Sequence, residues 1–392
     1  MDPRRNPYSP GAGSQPPELA GRDAAIERAA VALDRIRAGR AARSFVFYGL
    51  RGVGKTVLLN RIRDDAEARG FSTIHIESPE NRSLPSILAP NLRALLLKLS
   101  RKAHAKDVVQ RGLRAVAGFA KALKFKYNDI EFGIDVEIEP GLADSGDIEL
   151  DLKDVLEAAA LAARDCQTAV VLFIDELQYV QEEQLAALIT ALHSASQKQL
   201  PITMVAAGLP QLVGQMGRAK SYAERLFEFV PIDRLDSHAA EAALRKPAEN
   251  EGADIESDAV AEILKETQGY PYFLQEWGKH AWNSAQDNKI VLDDARNATG
   301  DALAELDASF FRVRFDRLTP AEKQYMRAMA SLGPGPHRSG DIAAKLNKKV
   351  TSVAPVRNSL IAKGMAYSPA HGDIAFTVPL FDGFLKRTLP EN

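Results

Sequence analysis

A glycine-rich octapeptide contains the residue types that bind a chain of phosphates. Residues 49–56 read G-L-R-G-V-G-K-T and fit the pattern G-x-x-x-x-G-K-[ST]. Glycines at these positions let the backbone aim its N–H groups at an anion. Lys55 then neutralises the β- and γ-phosphates, and the hydroxyl of Thr56 ligates Mg²⁺. The sequence therefore predicts a site for ATP and Mg²⁺, formed by Gly49, Leu50, Arg51, Gly52, Val53, Gly54, Lys55, Thr56 and Val57.

A pair of acids follows an apolar run far downstream. Asp175 and Glu176 come directly after A-V-V-L-F-I, a run typical of a strand that is buried on both faces of a parallel sheet. Ligands bind at the carboxyl ends of such strands. Asp175 is predicted to complete the Mg²⁺ shell, and Glu176 to orient and deprotonate the attacking water. Lys55 and Glu176 are thus candidate catalytic residues, and the combination predicts hydrolysis of ATP rather than binding alone.

The elements that position these residues form one α/β unit over residues 19–234. An apolar run ends just before the glycines, and a helical pattern follows them. Further strand-like runs alternate with helical segments, which predicts a nucleotide-binding α/β sheet. The predicted strands are 45–48, 71–76, 169–174, 201–206 and 226–232. Residues 1–18, which are rich in proline, glycine and serine, are predicted to be a flexible leader.

Residues 93–150 form a predicted insertion between the second and third strands. Its first part is helical and basic, whereas residues 125–138 alternate like a half-exposed strand or hairpin and are accompanied by acids. An insertion at this place extends outward from the sheet. Two interpretations stay open, a solvated decoration and a surface that binds a partner.

Two further units follow the sheet. Residues 235–318 carry helical patterns only, which fits a helical lid over the nucleotide. Residues 319–392 begin with T-P-A-E, a capping box with proline in the first helical position. Helix, helix, turn, helix and hairpin then follow, the order of a winged helix-turn-helix. Ten Lys and Arg against five Asp and Glu give this last unit a net charge of +5 and leave −7 on the rest of the chain.

The second helix of the predicted helix-turn-helix carries the candidate DNA-binding residues. Such a helix enters the major groove, while basic residues beside it contact phosphates. Proline at position 355 and the small number of basic residues on this helix leave a protein-contact role open as the alternative. The candidates are Thr351, Ser352, Arg357 and Asn358 toward the groove, with Lys348 and Lys349 at phosphates.

Composition limits the class of protein. A chain of 392 residues suffices for two or three domains, each with its own core. One cysteine, Cys166, excludes a disulfide framework and a cysteine-based zinc site, so a reducing cytosol is the expected compartment. No apolar run approaches the roughly 20 residues of a membrane-spanning helix, and the beginning of the chain does not resemble a secretory signal. No membrane partner is expected.

The motifs together resemble a known group of proteins. G-L-R-G-V-G-K-T, V-V-L-F-I-D-E, T-M-V-A-A-G and G-Y-P-Y-F, followed by a winged helix, resemble the AAA+-related P-loop ATPases of the archaeal-ATPase and STAND lineage. Replication initiators of the origin-recognition type share the order of ATPase, lid and winged helix. The resemblance covers residues 20–385 and implies a five-stranded sheet with the Walker B strand central. It also implies that ATP controls a conformational change between core and lid.

Two further site assignments come from this resemblance alone. G-Y-P matches the G-x-P element of STAND lids, which implies that Tyr270 and Pro271 contact the nucleotide, although Gly followed by Pro also ends and restarts helices. Arg225 lies where AAA+ ATPases place an arginine finger that reaches a neighbouring subunit. The alternative for Arg225 is a surface salt bridge with Glu224 or Glu228.

The sequence departs from the family at the sensor positions. After the fourth strand the residues are A-A-G-L-P, where a polar sensor is usual, and the lid has no clear arginine of the second sensor. We therefore expect hydrolysis that is slow or dependent on a partner. Gln178, two residues after Glu176, is a candidate replacement for the missing polar group.

Three functions are compatible with these features to different degrees. The leading hypothesis is an ATP-dependent switch that binds duplex DNA, with association into a homo-oligomer as an open question. The alternative is a STAND-like signalling ATPase whose winged helix and insertion contact protein partners. A metabolic kinase is disfavoured by the lid, the winged helix and the Asp175–Glu176 pair.

Overall fold

A five-stranded parallel sheet forms the centre of the ATPase core in the computed structural model, which describes residues 1–11, 13, 16–78, 82–100, 106–123 and 138–390. The strand order is β2-β3-β4-β1-β5. The strands are β1 (Ser44–Tyr48), β2 (Ser72–Glu77), β3 (Val170–Asp175), β4 (Ile202–Gly208) and β5 (Phe227–Pro231). Each of the five predicted strands is confirmed to within two residues. The Walker B strand β3 is interior, but β4 rather than β3 is the middle strand, which corrects the implied central position.

Apolar side chains on both faces of the sheet are covered by helices. Successive strand residues point to opposite faces, so Leu172 packs in one core and its neighbour Phe173 in the other. One core includes the helices of the insertion and the other includes the helix that follows the glycine loop. The helices of this part are α1 (Asp23–Arg37), α2 (Lys55–Ala68), α3 (Leu84–Ser100), α4 (Lys106–Leu123), α5 (Ile148–Asp165), α6 (Glu182–Gln197), α7 (Gln211–Ala219) and α8 (Ala223–Leu226).

The first part of the insertion is helical where the structure describes it. Helices α3 and α4 pack against each other and against α5, and their apolar side chains join the core on that face of the sheet. The predicted helical character of the first part of the insertion is therefore confirmed among the described residues. The alternating stretch 125–138 lies outside the described residues except for residue 138.

The lid follows β5 and contains four helices that share one core. These are α9 (Ser237–Asn250), α10 (Ser257–Thr267), α11 (Pro271–Ser284) and α12 (Leu292–Leu306). Two short strands, β6 (Asp254–Ile255) and β7 (Lys289–Ile290), pair in parallel beside them. The expectation of helices only is therefore wrong, because two residues are too few to show strand alternation in a sequence. A π-helical turn (Asp307–Phe311) and the short helix α13 (Arg312–Asp316) lead onward.

The C-terminal unit, residues 319–390, has the predicted order of helices and hairpin. Its elements are α14 (Pro320–Ser331), β8 (His337–Arg338), α15 (Ser339–Lys345), α16 (Val350–Ala362), β9 (Ala366–Tyr367), β10 (Asp373–Phe376) and α17 (Phe381–Thr388). The predicted capping box is confirmed, since Thr319 N–H donates to Glu322 Oε2 at 2.7 Å and Glu322 N–H donates to Thr319 Oγ1 at 3.4 Å. Strand β8 and helix α17 were not predicted; β8 adds a third strand in the order β8-β10-β9.

Residues 1–11 run along the lid in defined contacts, where the sequence suggests a flexible leader. Trp282 Nε1 donates to Asp2 O at 3.0 Å, and Asn6 Nδ2 donates to Lys279 O at 2.9 Å. The ring of Tyr8 is buried in the lid core against Gly278, where a Cβ atom would lie 2.6 Å from the ring. This segment therefore reaches the nucleotide site together with the lid. Among the described residues, no helix is both long and apolar enough to cross a membrane.

Candidate nucleotide site

The glycine loop connects β1 to α2 and needs its glycines for different reasons. Gly52 and Gly54 have φ angles of +82° and +87°, in the left-handed region that favours glycine. Gly49 is needed for a close approach, because a Cβ atom there would lie 1.9 Å from Ile232 O. The loop thus takes a compact turn that leads directly into the N-terminus of α2, a position that attracts anions.

Lys55 is a buried cation at the centre of this loop. Its side chain is 8% exposed, and Nζ donates to Gly49 O at 3.0 Å and Leu50 O at 2.8 Å. Burial lowers its pKa to about 8, opposed by the nearby charges of Glu176 and Asp175. A desolvated ammonium group gains stability from a bound anion, so this environment fits phosphate binding.

The two predicted Mg²⁺ ligands lie in direct contact. Thr56 Oγ1 donates to Asp175 Oδ2 at 2.6 Å, although Thr56 lies in the first turn of α2 and Asp175 at the end of β3. The backbone N–H of Glu176 donates to the other oxygen of Asp175 at 2.8 Å. Burial raises the pKa of Asp175, and the bond from Thr56 opposes that shift. A hydroxyl and a carboxylate at one point are oxygen donors of the kind that Mg²⁺ prefers, so this pair fits the ion.

Glu176 is held in place by two polar side chains. Its φ of +52° is left-handed, which is uncommon for a residue other than glycine and occurs at functional sites. Gln178 Nε2 donates to one carboxylate oxygen, and Arg51 Nη1 donates to the other at 3.4 Å. Gln178 Oε1 in turn accepts from Leu209 N–H at 2.9 Å. Gln178 thus joins the acid to the end of β4, the region in which the family carries its sensor residue.

A cavity of about 680 Å³ lies over these groups. Its walls come from the glycine loop (Arg51 to Val57), the end of β3, the lid and the N-terminal segment. Tyr272 N–H donates to Gly52 O at 3.1 Å, which attaches the lid to the loop. Of the two lid residues predicted to contact the nucleotide, Pro271 lines the cavity and Tyr270 does not. Tyr272, which was not predicted, also lines it. The volume and the lining fit a nucleotide that is enclosed between core and lid.

Several lining residues were not found from the sequence. Arg22 Nη2 donates to Val53 O at 3.1 Å and to Asp233 O at 2.6 Å, and Ser9 N–H donates to Gln275 Oε1 at 3.2 Å. Both Arg22 and Ser9 line the cavity, yet neither belongs to a phosphate-binding motif. No sequence motif identifies these two residues, because the packing of the N-terminal part of the chain brings them to the site.

Arg314 is a further unpredicted residue of this site. It lies on α13, lines the cavity and stacks over the ring of Phe310 with its guanidinium carbon 3.9 Å from the ring centroid. Burial and, to a smaller extent, the nearby charge of Arg51 together lower its pKa to about 10. Arginine in such surroundings is stabilised by an anion.

Arg225 lies on the surface of the core. Its side chain is 74% exposed on the short helix α8, and Nη1 is 3.9 Å from the carboxylate of Glu224. It does not belong to the described lining of the cavity in its own chain. A role toward a neighbouring subunit stays a prediction.

The predicted DNA-binding residues lie around the beginning of α16, and most are exposed. Arg357 differs, because its Nη2 donates to Ser368 Oγ at 2.8 Å and to Asp373 O at 2.9 Å in the hairpin. That guanidinium therefore fixes the hairpin to the helix. The exposed members are Lys348, Lys349, Thr351, Ser352 and Asn358.

Two protein families match parts of the chain. Residues 18–205 match the AAA ATPase domain family, and residues 308–385 match a family described as a domain of unknown function (DUF8462). No curated protein matches the sequence. The second match begins at the π-helical turn, so it includes α13 as well as the C-terminal unit.

Solved structures share the architecture at low sequence identity. A Walker-type ATPase of Pyrococcus abyssi, paby2304, is 14% identical with a TM-score of 0.62, over 97% of this chain and 99% of that one. The ORC1 protein of Aeropyrum pernix, solved in complex with DNA, is 14% identical with a TM-score of 0.49, over 98% and 96%. The RuvB Holliday junction branch migration motor of Thermotoga maritima is 15% identical with a TM-score of 0.46, over 95% of each chain. The match over residues 18–205 and the fold shared with the first structure support an AAA+ P-loop ATPase fold for this part of the chain.

Proposed function

We propose that the protein is an ATP-binding and ATP-hydrolysing switch that couples its nucleotide state to DNA binding through a C-terminal winged helix-turn-helix. The observation that carries the proposal is a direct contact between the glycine loop and the C-terminal unit. Arg51 N–H donates to Thr377 O at 3.0 Å, and Thr377 Oγ1 donates to Gly364 O at 2.6 Å. A change in the loop therefore acts on the C-terminal unit without an intermediary.

Arg51 connects the catalytic acid to this contact. Its Nη1 reaches Glu176 at 3.4 Å and its Nη2 donates to Tyr179 Oη at 2.7 Å. Gly364 lies so close that a Cβ atom there would be 3.0 Å from Arg51 Nη2. Since Gly364 follows the end of α16, a phosphate that draws Arg51 away alters the support of that helix. The helix then transmits the change to its other end, where the candidate DNA residues lie.

The chemistry follows from the residues of the loop and β3. Thr56 and Asp175 would hold Mg²⁺, which would supply positive charge to the phosphates. Lys55 contributes a second positive charge, and Glu176 orients a water and takes its proton. Because Arg51 and Gln178 each donate to the carboxylate of Glu176, the attacking water competes with them for this group. This supports slow basal turnover that a partner or DNA accelerates.

The exposed end of the C-terminal unit supports DNA as the partner. Lys348 and Lys349 are exposed at the turn before α16, and Thr351 and Ser352 are exposed in its first turn. The opposite end of α16 contacts the ATPase core through Gly364. DNA and nucleotide can therefore be bound at the same time, at separate places in the molecule.

The test measures duplex DNA binding by the full chain with ATP, ADP or no nucleotide at several salt concentrations. Phosphate contacts release counterions, so we expect a steep loss of affinity with salt. We also expect the affinity to differ between ATP and ADP. Affinity that is independent of nucleotide, or absent at low salt, would contradict the proposal.

One observation favours the alternative of a STAND-like signalling ATPase. Arg357, the only arginine on α16, is bound to the hairpin and is unavailable to a base edge in this conformation. A protein partner needs no such arginine. If DNA binding is absent, a protein that binds this end of the C-terminal unit is the expected partner.

A further inference from the structure

A second, smaller cavity of about 290 Å³ lies between the ATPase core and the C-terminal unit. It shares Arg51, Glu77, Glu176 and Arg314 with the nucleotide cavity, so the two spaces meet at the end where the catalytic acid lies. Lys363 and Met365 of the C-terminal unit form part of its wall. No sequence motif accounts for this space.

Positive charge predominates in the smaller cavity. Four cationic side chains line it, against the two carboxylates of Glu77 and Glu176. Within the described part of the chain Arg314 forms no ion pair, and its guanidinium contacts the carbonyl and ring of Phe310 instead. The cationic residues are Arg51, Arg314, Arg317 and Lys363.

A buried hydroxyl without a partner faces the same space. Ser78 is 5% exposed, and its Oγ has no hydrogen-bond partner among the described residues. Its backbone N–H donates to Asp175 O at 3.0 Å, which places Ser78 beside the Walker B acids. Buried polar groups are almost always satisfied, so an unpaired hydroxyl in a cationic cavity indicates a missing acceptor.

We propose that this cavity binds inorganic phosphate, the product of hydrolysis, between the glycine loop and the C-terminal unit. The inference rests on the proposed ATPase function. A tetrahedral oxyanion matches the donors present, since arginine and a serine hydroxyl both donate to phosphate oxygens. Lys363, now bound to Glu322 Oε2 at 2.7 Å, is the cation through which a bound phosphate acts on the C-terminal unit. Phosphate release then becomes a second event, after hydrolysis, that the C-terminal unit senses.

The experiment titrates sodium phosphate into the full chain loaded with ADP and Mg²⁺, at constant ionic strength, by isothermal calorimetry. We expect saturable binding by the wild type and a loss of about tenfold or more in Arg314→Gln, since a charge-assisted contact is removed. Ser78→Ala is expected to weaken binding several-fold and keeps the test valid if Arg314→Gln does not fold. Arg312→Gln is the matched control, because Arg312 lies on the same helix but is exposed and paired with Asp316.

A second titration uses a non-hydrolysable ATP analogue in place of phosphate. It distinguishes binding of free phosphate from binding of the terminal phosphate of ATP. If Arg314→Gln and Ser78→Ala weaken phosphate binding and Arg312→Gln does not, the proposal is supported. A loss confined to the analogue assigns these residues to the terminal phosphate of ATP and overturns the assignment to free phosphate. No saturable binding, or equal binding by all variants, also overturns it. Failure of the chain to bind nucleotide at all would contradict the proposed ATPase function. Phosphate binding is then measured separately, by titrating phosphate into nucleotide-free protein.

Discussion

The nucleotide site and the exposed end of the C-terminal unit hold their charges in opposite ways. In the nucleotide site Lys55 and Asp175 are 8% and 4% exposed, and each is hydrogen-bonded to neighbouring groups. At the start of α16, Lys348 and Lys349 lie in solvent. Chemistry at a phosphate requires groups that are desolvated and fixed in advance, whereas attraction to a nucleic acid backbone requires only charge at the surface. We therefore expect large effects when single buried residues are substituted and small, additive effects when exposed ones are.

Arg225 is the exception to this pattern, because it is exposed and yet is predicted to act in catalysis. An arginine finger in trans is worth about 10³–10⁵ in rate. ATPase activity per subunit is therefore expected to rise with protein concentration or on DNA, and Arg225→Ala to remove the rise while ATP affinity stays nearly unchanged. Arg218→Ala, at a similarly exposed arginine on α7, is the control. Mixing Arg225→Ala with Glu176→Gln subunits should restore activity; flat activity without rescue would leave Arg225 as a surface ion-pair residue.

Glu176→Gln tests the buried region directly. Loss of a positioned general base costs about 10²–10⁴-fold in turnover, while the amide still fits the site, so ATP binding is expected to persist. Lys55→Ala should instead abolish tight ATP binding. Steady-state hydrolysis and equilibrium binding of ATP distinguish the two variants, with Glu182→Gln on the surface as control. Wild-type turnover in Glu176→Gln would show that another group is the base.

The exposed lysines are tested as a pair. Lys348→Ala with Lys349→Ala should weaken duplex binding for all sequences alike and reduce the salt slope by about two units, because two phosphate contacts are lost. Hydrolysis without DNA should not change. The control removes two exposed lysines of the lid, Lys265 and Lys289. An unchanged slope would remove this surface from the DNA-binding hypothesis.

Glu322 is a buried acid within the C-terminal unit itself, and it is 3% exposed. Burial disfavours its charge, but bonds from Lys363, the Thr319 backbone and Ser359 prevail and lower its pKa to about 2. Because the folded pKa lies below the unfolded value, this stabilisation is fully present above about pH 4.5 and is lost as the pH falls toward 2.

Glu322→Gln should therefore lower the free energy of unfolding by about 1–3 kcal/mol at neutral pH and less in acid. Thermal unfolding of the full chain between pH 3 and 7 measures this, with Asp382→Asn, a more exposed acid of the same unit, as control. An equal loss at every pH would mean that packing rather than charge is responsible.

Much of the core was predictable because its signals are local. Glycine spacing, the apolar run before Asp175 and the capping box at Thr319 each lie within a few residues, and each predicted element is present. The short strands β6 and β7 were missed because two residues are too few to show the alternation of a strand. The alternating stretch 125–138 stays a prediction, since nearly all of it lies outside the described residues.

Local patterns in the sequence are enough to identify the phosphate loop, the acid pair and the order of the units. The hydrogen bond that joins Gln178 to the end of β4, the position of Arg314 in the nucleotide cavity and the contact of Arg51 with Thr377 are visible in the folded structure alone. The structure also shows Arg357 hydrogen-bonded to the hairpin, whereas the sequence analysis placed it toward a groove of DNA. The physical reason is that these contacts join residues far apart in the chain. Their partners are selected by packing and charge in three dimensions, for which no local spacing is required.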